Sequence, residues 1–329
     1  MNWAQQTVLV TGAAGFIGSN LCDALIEAGA RVIGVDDLSV GKRENLAQAE
    51  AAGLQFVQGS ILEPQAWAEH LAPVTRVIHM AVACLRRSFQ DPMLVHHINA
   101  TGTLEVLEAC RRHAPKLQRF VYCSSSEVYG SACQVPMAEE HPLRPTTVYG
   151  ASKLAGEVYT LASQLPVTVA RPFNTYGPRE HHQGASGEVI PRFAVRIANG
   201  LPPLIFGDGS QTRDFTHVRD TARALMLACQ CEQALGRTIN LARGQEVSIA
   251  RIAELLLERM GRKDLKPEFR GARPQDVDRH YAATGLAHQL LGFEASLDIQ
   301  AGLDQYVTWF QHAHPEAGRL LEEVQEQNW

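Results

Sequence analysis

The sequence predicts an α/β protein with a Rossmann-type, doubly wound parallel sheet and a smaller mixed α/β substrate-binding region. Three observations favour this fold class. Apolar runs typical of buried strands alternate with amphipathic stretches through the first half of the chain. A glycine-rich turn follows the first of these runs, and an aspartate ends the second. Beyond about residue 175, segments punctuated by glycine and proline replace the alternation.

The strands and helices follow from the spacing of apolar residues. In SNLCDALIEAG, Leu21 and Leu25 share one face of a helix, and Gly29 lies where a helix C-cap is expected. In SFQD, Ser88 is predicted to N-cap a helix through MLVHHINATGTLEVLEAC, with Asp91 at its third position. SIARIAELLLERMG is a later amphipathic helix. Buried parallel strands are predicted in TVLVTG, RVIGVDD, LQFVQG, RVIHMAV, RFVYCSS and VTVARPF.

The composition indicates a globular protein that acts on a small molecule. Its 329 residues are 45% hydrophobic, and the formal net charge is only -5 without long basic runs, so we expect no nucleic-acid or membrane partner. No segment approaches about 18 uninterrupted apolar residues. The 7 cysteines lack CxxC pairing and the histidines lack metal-ligand spacing. We therefore expect a cytoplasmic protein without a metal site.

The stretch VLVTGAAGFIG has the features of a dinucleotide-binding turn. Gly12, Gly15 and Gly18 follow a predicted strand and open a predicted helix, where a tight turn and the helix N-terminus favour a pyrophosphate. Asp36 ends the next strand, where a carboxylate accepts hydrogen bonds from an adenosine ribose and repels a 2'-phosphate. The pattern therefore favours NAD over NADP. After the third strand, Ser60 stands where an acidic residue that contacts the adenine is expected.

A second motif, VYGASKLAGE, suggests acid/base chemistry. Tyr149 and Lys153 lie four residues apart, on one face of a predicted helix. A phenol that titrates near 10 needs a shift of about three units, or about 4 kcal/mol, to act as a base at neutral pH. Lys153 and an oxidised nicotinamide ring both favour the phenolate, and a nearby serine can share the substrate proton. A surface pair is the alternative for such a motif standing alone.

Together with SSSEVYG and RPFNTYGPR, these motifs resemble the extended short-chain dehydrogenase/reductase family, specifically its NAD-dependent nucleotide-sugar epimerases and dehydratases. GDGSQTRDFTHVRD and RPQDV extend the resemblance over nearly the whole chain. It implies a tightly held NAD that oxidises a sugar at C4 and later returns the hydride. It also implies that Ser125 is catalytic, that Tyr149 removes the C4 hydroxyl proton, and that Lys153 holds the nicotinamide ribose.

The outcome after C4 oxidation depends on residues 126 and 127. In the sugar 4,6-dehydratases, the catalytic threonine or serine is followed by an acid and then by a glutamate that takes the C5 proton. Glu127 matches that glutamate, whereas Ser126 replaces the acid of the dTDP-glucose enzymes. We therefore expect 4,6-dehydration to a 4-keto-6-deoxy sugar, with nucleotide-sugar 4-epimerisation as the alternative. A backbone-capping role for Glu127 also stays open.

Two further outcomes are less favoured. A UDP-glucuronate decarboxylase needs a cation for the sugar carboxylate, which Arg86 or Arg87 can supply, but YGASK differs from the YDEGK associated with those enzymes. A non-catalytic NAD-binding regulator commonly loses the tyrosine or the lysine, and both are present. For the diphosphate, the resemblance indicates Asn174, Arg213 and Arg273, and the planar fork of arginine suits such oxygens.

The resemblance also implies a domain division and a partner. Residues 1–173, with a returning segment at about 214–243, are expected to form the NAD-binding domain, and 174–213 with 244–329 the nucleotide-sugar-binding region. A homodimer is expected through the helix of Tyr149 and Lys153. The expected catalytic residues are Ser125, Ser126, Glu127, Tyr149 and Lys153; the cofactor-binding residues are Gly12, Gly15, Phe16, Ile17, Gly18, Asp36, Ser60, Ile61, Ala81, Tyr149 and Lys153; and the substrate-binding residues are Arg86, Ser125, Asn174, Arg213 and Arg273.

Overall fold

A parallel seven-stranded sheet forms the centre of the molecule, in a computed structural model that describes residues 2–184, 187–273, 277–324 and 326. Residues 274–276 of the RPQDV motif lie outside the described residues. The strands are β1 (Thr7–Thr11), β2 (Arg31–Asp36), β3 (Gln55–Gln58), β4 (Arg76–His79), β5 (Arg119–Cys123), β6 (Val167–Pro172), β7 (Asn174–Tyr176), β8 (Leu204–Phe206), β9 (Thr212–His217), β10 (Thr238–Leu241), β11 (Glu246–Ser248) and β12 (Glu268–Arg270).

The helices cover both faces of this sheet and build the second region. They are α1 (Phe16–Glu27), α2 (Ala47–Ala51), α3 (Arg87–Gln90), α4 (Pro92–His96), α5 (Gly102–His113), α6 (Val148–Ala162), α7 (Val189–Ala198), α8 (Val218–Gln230), α9 (Ile249–Arg259), α10 (Gly285–Leu291) and α11 (Ile299–Ala313). Among the residues that the structure describes, no helix is both long enough and apolar enough to cross a membrane.

The strand order β10-β6-β5-β4-β1-β2-β3 confirms the predicted doubly wound sheet. All six predicted strands form and pair in parallel. The order reverses beside β1, which pairs with β2 on one side and β4 on the other, so a crevice opens at the carboxyl ends of β1 and β4. The prediction that every strand is buried is wrong for β3, since Gln55 and Gln58 of this edge strand are exposed.

The first predicted helix is confirmed, and a later one is divided. Gly29 follows α1 with a φ of 88°, a left-handed conformation that glycine adopts without strain. The predicted Ser88 cap is wrong because Ser88 lies inside α3, where its hydroxyl donates to the carbonyl of Leu85. Asp91 itself caps α4 by accepting from the Leu94 amide at 3.0 Å. A π-helical turn over His97–Thr101 then separates α4 from α5.

The second region contains two small sheets, ordered β11-β9-β7 and β12-β8. Helices α7, α9 and α11 pack over one apolar core beside the first of them. The β9 strand crosses the expected boundary at residue 214 and pairs with β7 and β11. Of the expected returning segment, α8 and β10 are therefore the parts that lie with the large sheet.

Candidate active site

A cavity of about 1070 Å³ lies at the carboxyl ends of the central strands, between the large sheet and the second region. It is larger than a typical pocket for one small ligand, which leaves room for a dinucleotide and a second molecule. Of the predicted site residues, Lys153 does not line it. The residues that do are Gly12, Gly15, Phe16, Ile17, Gly18, Asp36, Ser60, Ile61, Ala81, Arg86, Ser125, Ser126, Glu127, Tyr149, Asn174, Arg213 and Arg273.

The glycine turn between β1 and α1 is too tightly packed for larger residues. Gly12 has a φ of 68°, and a Cβ there would lie 2.8 Å from the Cα of Ala81. A Cβ on Gly18 would overlap the carbonyl oxygen of Gly12. Because α1 begins at Phe16, its first amides have no partners within the helix, and residues of this first turn line the cavity. The turn is therefore a cradle for a pyrophosphate.

Asp36 ends β2 at the same end of the cavity. Its buried carboxylate accepts hydrogen bonds from the Ala14 amide at 3.0 Å and the Leu38 amide at 2.8 Å. Burial raises the pKa of Asp36, and the two amide hydrogen bonds oppose that rise. A carboxylate has about four acceptor positions, so two remain for a ligand hydroxyl group.

Ser60 and Ile61 form the wall beyond Asp36. The Ser60 hydroxyl accepts from the Leu62 amide at 3.2 Å, and its carbonyl accepts from the Trp67 indole at 2.9 Å. Both residues line the cavity, and Ile61 is buried. An adenine contact at Ser60 stays a prediction.

Ser125 and Tyr149 meet in the middle of the cavity. After β5 ends, Ser125 caps a short turn by accepting from the Glu127 amide at 3.2 Å, and its hydroxyl also hydrogen-bonds the Tyr149 phenol. Tyr149 lies in the first turn of α6, whose N-cap Thr147 accepts from the Gly150 amide at 3.0 Å. Desolvation by the surrounding protein raises the pKa of Tyr149. The hydrogen bond with Ser125 lowers this pKa, and the negative charge of Glu127 raises it.

Lys153 lies one helical turn after Tyr149, beneath the cavity wall. Its Nζ donates to the carbonyl oxygen of Cys123 at 2.6 Å and lies 4.4 Å from the centre of the Tyr122 ring. Burial lowers the pKa of Lys153 to about 8, whereas the negative charge of Glu157 raises it. The lysine is therefore a buried cation held at the end of β5.

The two residues after Ser125 differ in their access to the cavity. Ser126 is only 5% exposed, and the His280 ring donates a hydrogen bond to its backbone carbonyl. Glu127 is half-buried and lines the cavity, close enough to Tyr149 for its charge to raise the pKa of that phenol. Of the two, Glu127 has the side chain that can act as a base on a bound molecule.

A buried network under this serine loop was missed by the sequence interpretation. Glu157 accepts from the Ser124 hydroxyl at 2.5 Å and from two nitrogens of Arg171 at 2.8 and 2.6 Å. Arg171 also donates to Tyr129, which in turn donates to Asn240. One sequence feature could have indicated this network: Glu157 lies one helical turn after Lys153, on the same face of α6. The network fixes the end of β5 that presents Ser125.

Asn99 fixes the opposite wall. It lies in the π-helical turn, accepts from the Ala83 amide at 2.8 Å, and donates to the Ala83 carbonyl at 3.1 Å. Its amide also donates to Ser152 of α6 at 3.0 Å. The loop after β4 is thereby tied to the helix of Tyr149.

The far end of the cavity carries the residues expected to bind a diphosphate. Asn174 is half-buried in β7. The Arg213 guanidinium donates to the carbonyl of Val277 at 2.6 Å, and that of Arg273 lies 5.0 Å from the centre of the Phe206 ring. Both arginines line the cavity, so this end carries positive charge. Phosphate binding by these three residues stays a prediction.

Arg86 is paired within the cavity. Its Nη1 lies 2.7 Å from the Glu188 carboxylate, which precedes α7. Burial lowers the pKa of Arg86, but the Glu188 carboxylate raises it above its usual value. Burial likewise raises the pKa of Glu188, but the Arg86 guanidinium holds it below its usual value. Sequence analysis identified Arg86 but missed Glu188, because no sequence pattern around Glu188 indicates that it pairs with Arg86.

The model of the NAD dependent epimerase/dehydratase family matches residues 8–242. The chain belongs to this family. It is 34% identical to a UDP-glucose 4-epimerase of Mycolicibacterium smegmatis, over 92% of this chain and 98% of the relative. It is also 34% identical to a dTDP-glucose 4,6-dehydratase of Streptomyces griseus, over 93% and 94%.

Solved structures agree with the family assignment. An epimerase of Methanothermobacter thermautotrophicus superposes with a TM-score of 0.90 at 33% identity, covering 96% of this chain and 95% of the other. A dTDP-glucose 4,6-dehydratase of Streptomyces venezuelae, with NAD bound, superposes with a TM-score of 0.87 at 28% identity, covering 94% and 98%. The predicted family, fold and cofactor are confirmed. In this epimerase/dehydratase, the glycine cradle and Asp36 fit NAD.

Among the described residues, no group of three or more histidine, cysteine, aspartate or glutamate side chains is arranged to hold a metal ion.

Proposed function

We propose that this protein oxidises a nucleotide-diphosphate hexose at C4, removes water across C5 and C6, and then returns the hydride to C6 and a proton to C5, to give a 4-keto-6-deoxy sugar. The position of Glu127 carries the proposal. Its carboxylate lines the same cavity as Tyr149 and acts electrostatically on the phenol, so it lies within reach of a sugar placed for C4 chemistry. A carboxylate there can take the C5 proton, which becomes acidic once C4 is a ketone.

The other residues have complementary roles in the proposal. Tyr149 takes the C4 hydroxyl proton, and Ser125 shares it through its hydrogen bond to the phenol. Lys153 supplies a buried positive charge at the end of β5. Asn174, Arg213 and Arg273 hold the diphosphate at the far end of the cavity. When bound, NAD supplies the hydride acceptor and donor.

The second candidate is 4-epimerisation, and Ser126 favours it. Dehydration needs a proton for the departing C6 hydroxyl group, but a serine hydroxyl is a poor acid at neutral pH and Ser126 is buried. In the dehydration proposal, Glu127 therefore both takes the C5 proton and returns it to the leaving oxygen. Epimerisation needs neither transfer.

The test is incubation of the purified protein with UDP-, dTDP- and GDP-hexoses in deuterium oxide, followed by NMR. A 4-keto-6-deoxy product labelled with deuterium supports dehydration. A C4-inverted sugar without C5 exchange refutes it in favour of epimerisation. If no sugar in the panel changes, neither candidate stands.

Glu127→Gln examines the assigned residue directly. We expect a loss of elimination of roughly 10²–10⁴-fold, the usual contribution of a positioned acid or base, while C4 oxidation persists as transient NADH absorbance. Glu254→Gln removes the same charge from an exposed ion pair on α9 and serves as the control. Unchanged turnover in Glu127→Gln would leave Glu127 with only a structural role.

Two rival functions are weaker. Pairing with Glu188 neutralises Arg86, one of the two candidate cations for the sugar carboxylate, and this argues against uronate decarboxylation. The presence of Ser125, Tyr149 and Lys153 together argues against a non-catalytic regulator.

The proposal includes a homodimer in the cytoplasm. On the outer surfaces of α5 and α6, Leu104, Val158 and Leu161 are 44%, 55% and 47% exposed, which favours association through these helices. Seven free cysteines favour a reducing compartment. Leu161→Asp should give a monomer in sedimentation experiments, whereas Leu235→Asp, at an exposed leucine outside both helices, should not. A dimer that survives Leu161→Asp contradicts this interface.

A further inference from the structure

The Arg86–Glu188 ion pair joins two separate walls of the cavity. Arg86 precedes α3 in the loop after β4, and Glu188 directly precedes α7 in the second region. The Arg86 side chain is 12% exposed, whereas the Glu188 side chain is 40% exposed, and both residues line the cavity. The carboxylate therefore covers the arginine and presents its own free edge to a bound molecule.

The pair shares one cavity with the reacting centre and with the proposed diphosphate end. Arg86 and Glu188 line it together with Tyr149 and Arg273. The charge of Arg273 also acts on Glu188. A sugar whose C4 lies at Tyr149 and whose diphosphate lies at Arg273 can therefore contact the pair.

We infer that Glu188 is a specificity-determining residue that makes the sugar site accept a neutral hexose and reject a hexuronate. The inference rests on the proposed function and names its substrate class. A C6 carboxylate meets the negative charge of Glu188, and Arg86, the arginine beside that carboxylate, is already occupied. A C6 hydroxyl group can instead donate to the exposed carboxylate edge.

The experiment compares UDP-glucose with UDP-glucuronate, or the dTDP pair if thymidine is preferred. Displacement binding to the NAD-loaded protein gives the affinity ratio, and kcat/KM is measured where there is turnover. Glu188→Gln should raise the affinity for UDP-glucuronate relative to UDP-glucose by roughly ten- to a hundredfold. This is the usual contribution of one charge-assisted hydrogen bond, which Arg86 can then make to the sugar carboxylate. In the double variant Arg86→Gln/Glu188→Gln, this gain should disappear. Glu254→Gln, in an exposed pair with Arg251, should leave the ratio unchanged.

Glu188→Ala repeats the measurement if the glutamine variant does not fold. A ratio within about twofold of the wild-type value, or an equal gain in the double variant, overturns the inference. Failure of the proposed function is seen separately, as the absence of any hexose product from the wild-type protein. The binding ratio still tests Glu188 in that event, because it requires no turnover.

Discussion

Removing the carboxylate of Glu157 should destabilise the protein strongly. Glu157 and Arg171 are 3% and 4% exposed and share two contacts of 2.8 and 2.6 Å. Breaking a buried pair at one partner typically costs about 3–5 kcal/mol. Arg171 keeps hydrogen bonds to Tyr129 and to the Glu139 carbonyl, so we expect the lower end for Glu157→Gln, about 3 kcal/mol. Ser124 also loses its charged acceptor.

Urea unfolding followed by tryptophan fluorescence measures this effect. With a slope near 3 kcal/mol per molar, the midpoint should fall by about 1 M. Glu254→Gln, in a pair exposed by 57% and 50%, should change the free energy of unfolding by no more than about 1 kcal/mol. Replacing both partners, as Glu157→Leu/Arg171→Met, should recover much of the loss suffered by Glu157→Leu alone. If Glu157→Gln lowers the free energy of unfolding by less than about 1 kcal/mol, the reasoning is refuted, because Arg171 would then need no buried anion.

Two further predictions concern the cofactor and pH. Gly18→Ala should abolish retention of NAD, measured on the purified protein by release and chromatography, because the added methyl group overlaps the turn; Gly285→Ala, with open space around it, should retain NAD. His217 and His280 have pKa values lowered by burial to about 4, so stability is lost as pH falls below 6.5, by up to about 2 kcal/mol each at pH 5. Asp214, whose pKa burial raises to about 6, opposes this by about 1.4 kcal/mol. A urea midpoint at pH 5 equal to that at pH 7 would contradict the histidine prediction.

The sequence predicted those parts of the molecule whose cause is local. Buried strands need apolar runs, so the strands of the large sheet from β1 to β6 were visible in the residues themselves. The turn at Gly12 and Gly18 was visible because only glycine fits such close packing. The Ser88 cap failed for a local reason too. Pro92 can begin a helix but not continue one, so it starts α4 with Asp91 as the cap.

Contacts between distant residues were not predictable in this way. Arg86 and Glu188 are 102 positions apart, and Glu157 and Arg171 lie on different elements. Each residue alone has the pattern of an ordinary surface charge. Only the topology, which returns β6 beside β5 and sets α7 across the cavity, brings these charges together. Specificity and stability at this site therefore depend on pairings that local patterns do not encode.

The protonation state of Tyr149 depends on what is bound beside it. Desolvation by the surrounding protein and the negative charge of Glu127 both raise the pKa of the phenol, whereas the hydrogen bond from Ser125 lowers it. Lys153 is held at 2.6 Å on the Cys123 carbonyl, with its own pKa lowered to about 8. The protein alone therefore keeps the phenol protonated at neutral pH. In the proposed reaction, proton removal by Tyr149 therefore requires a further positive charge beside the phenol, which an oxidised nicotinamide ring would supply. The proposed base is thereby coupled to the oxidation state of the cofactor.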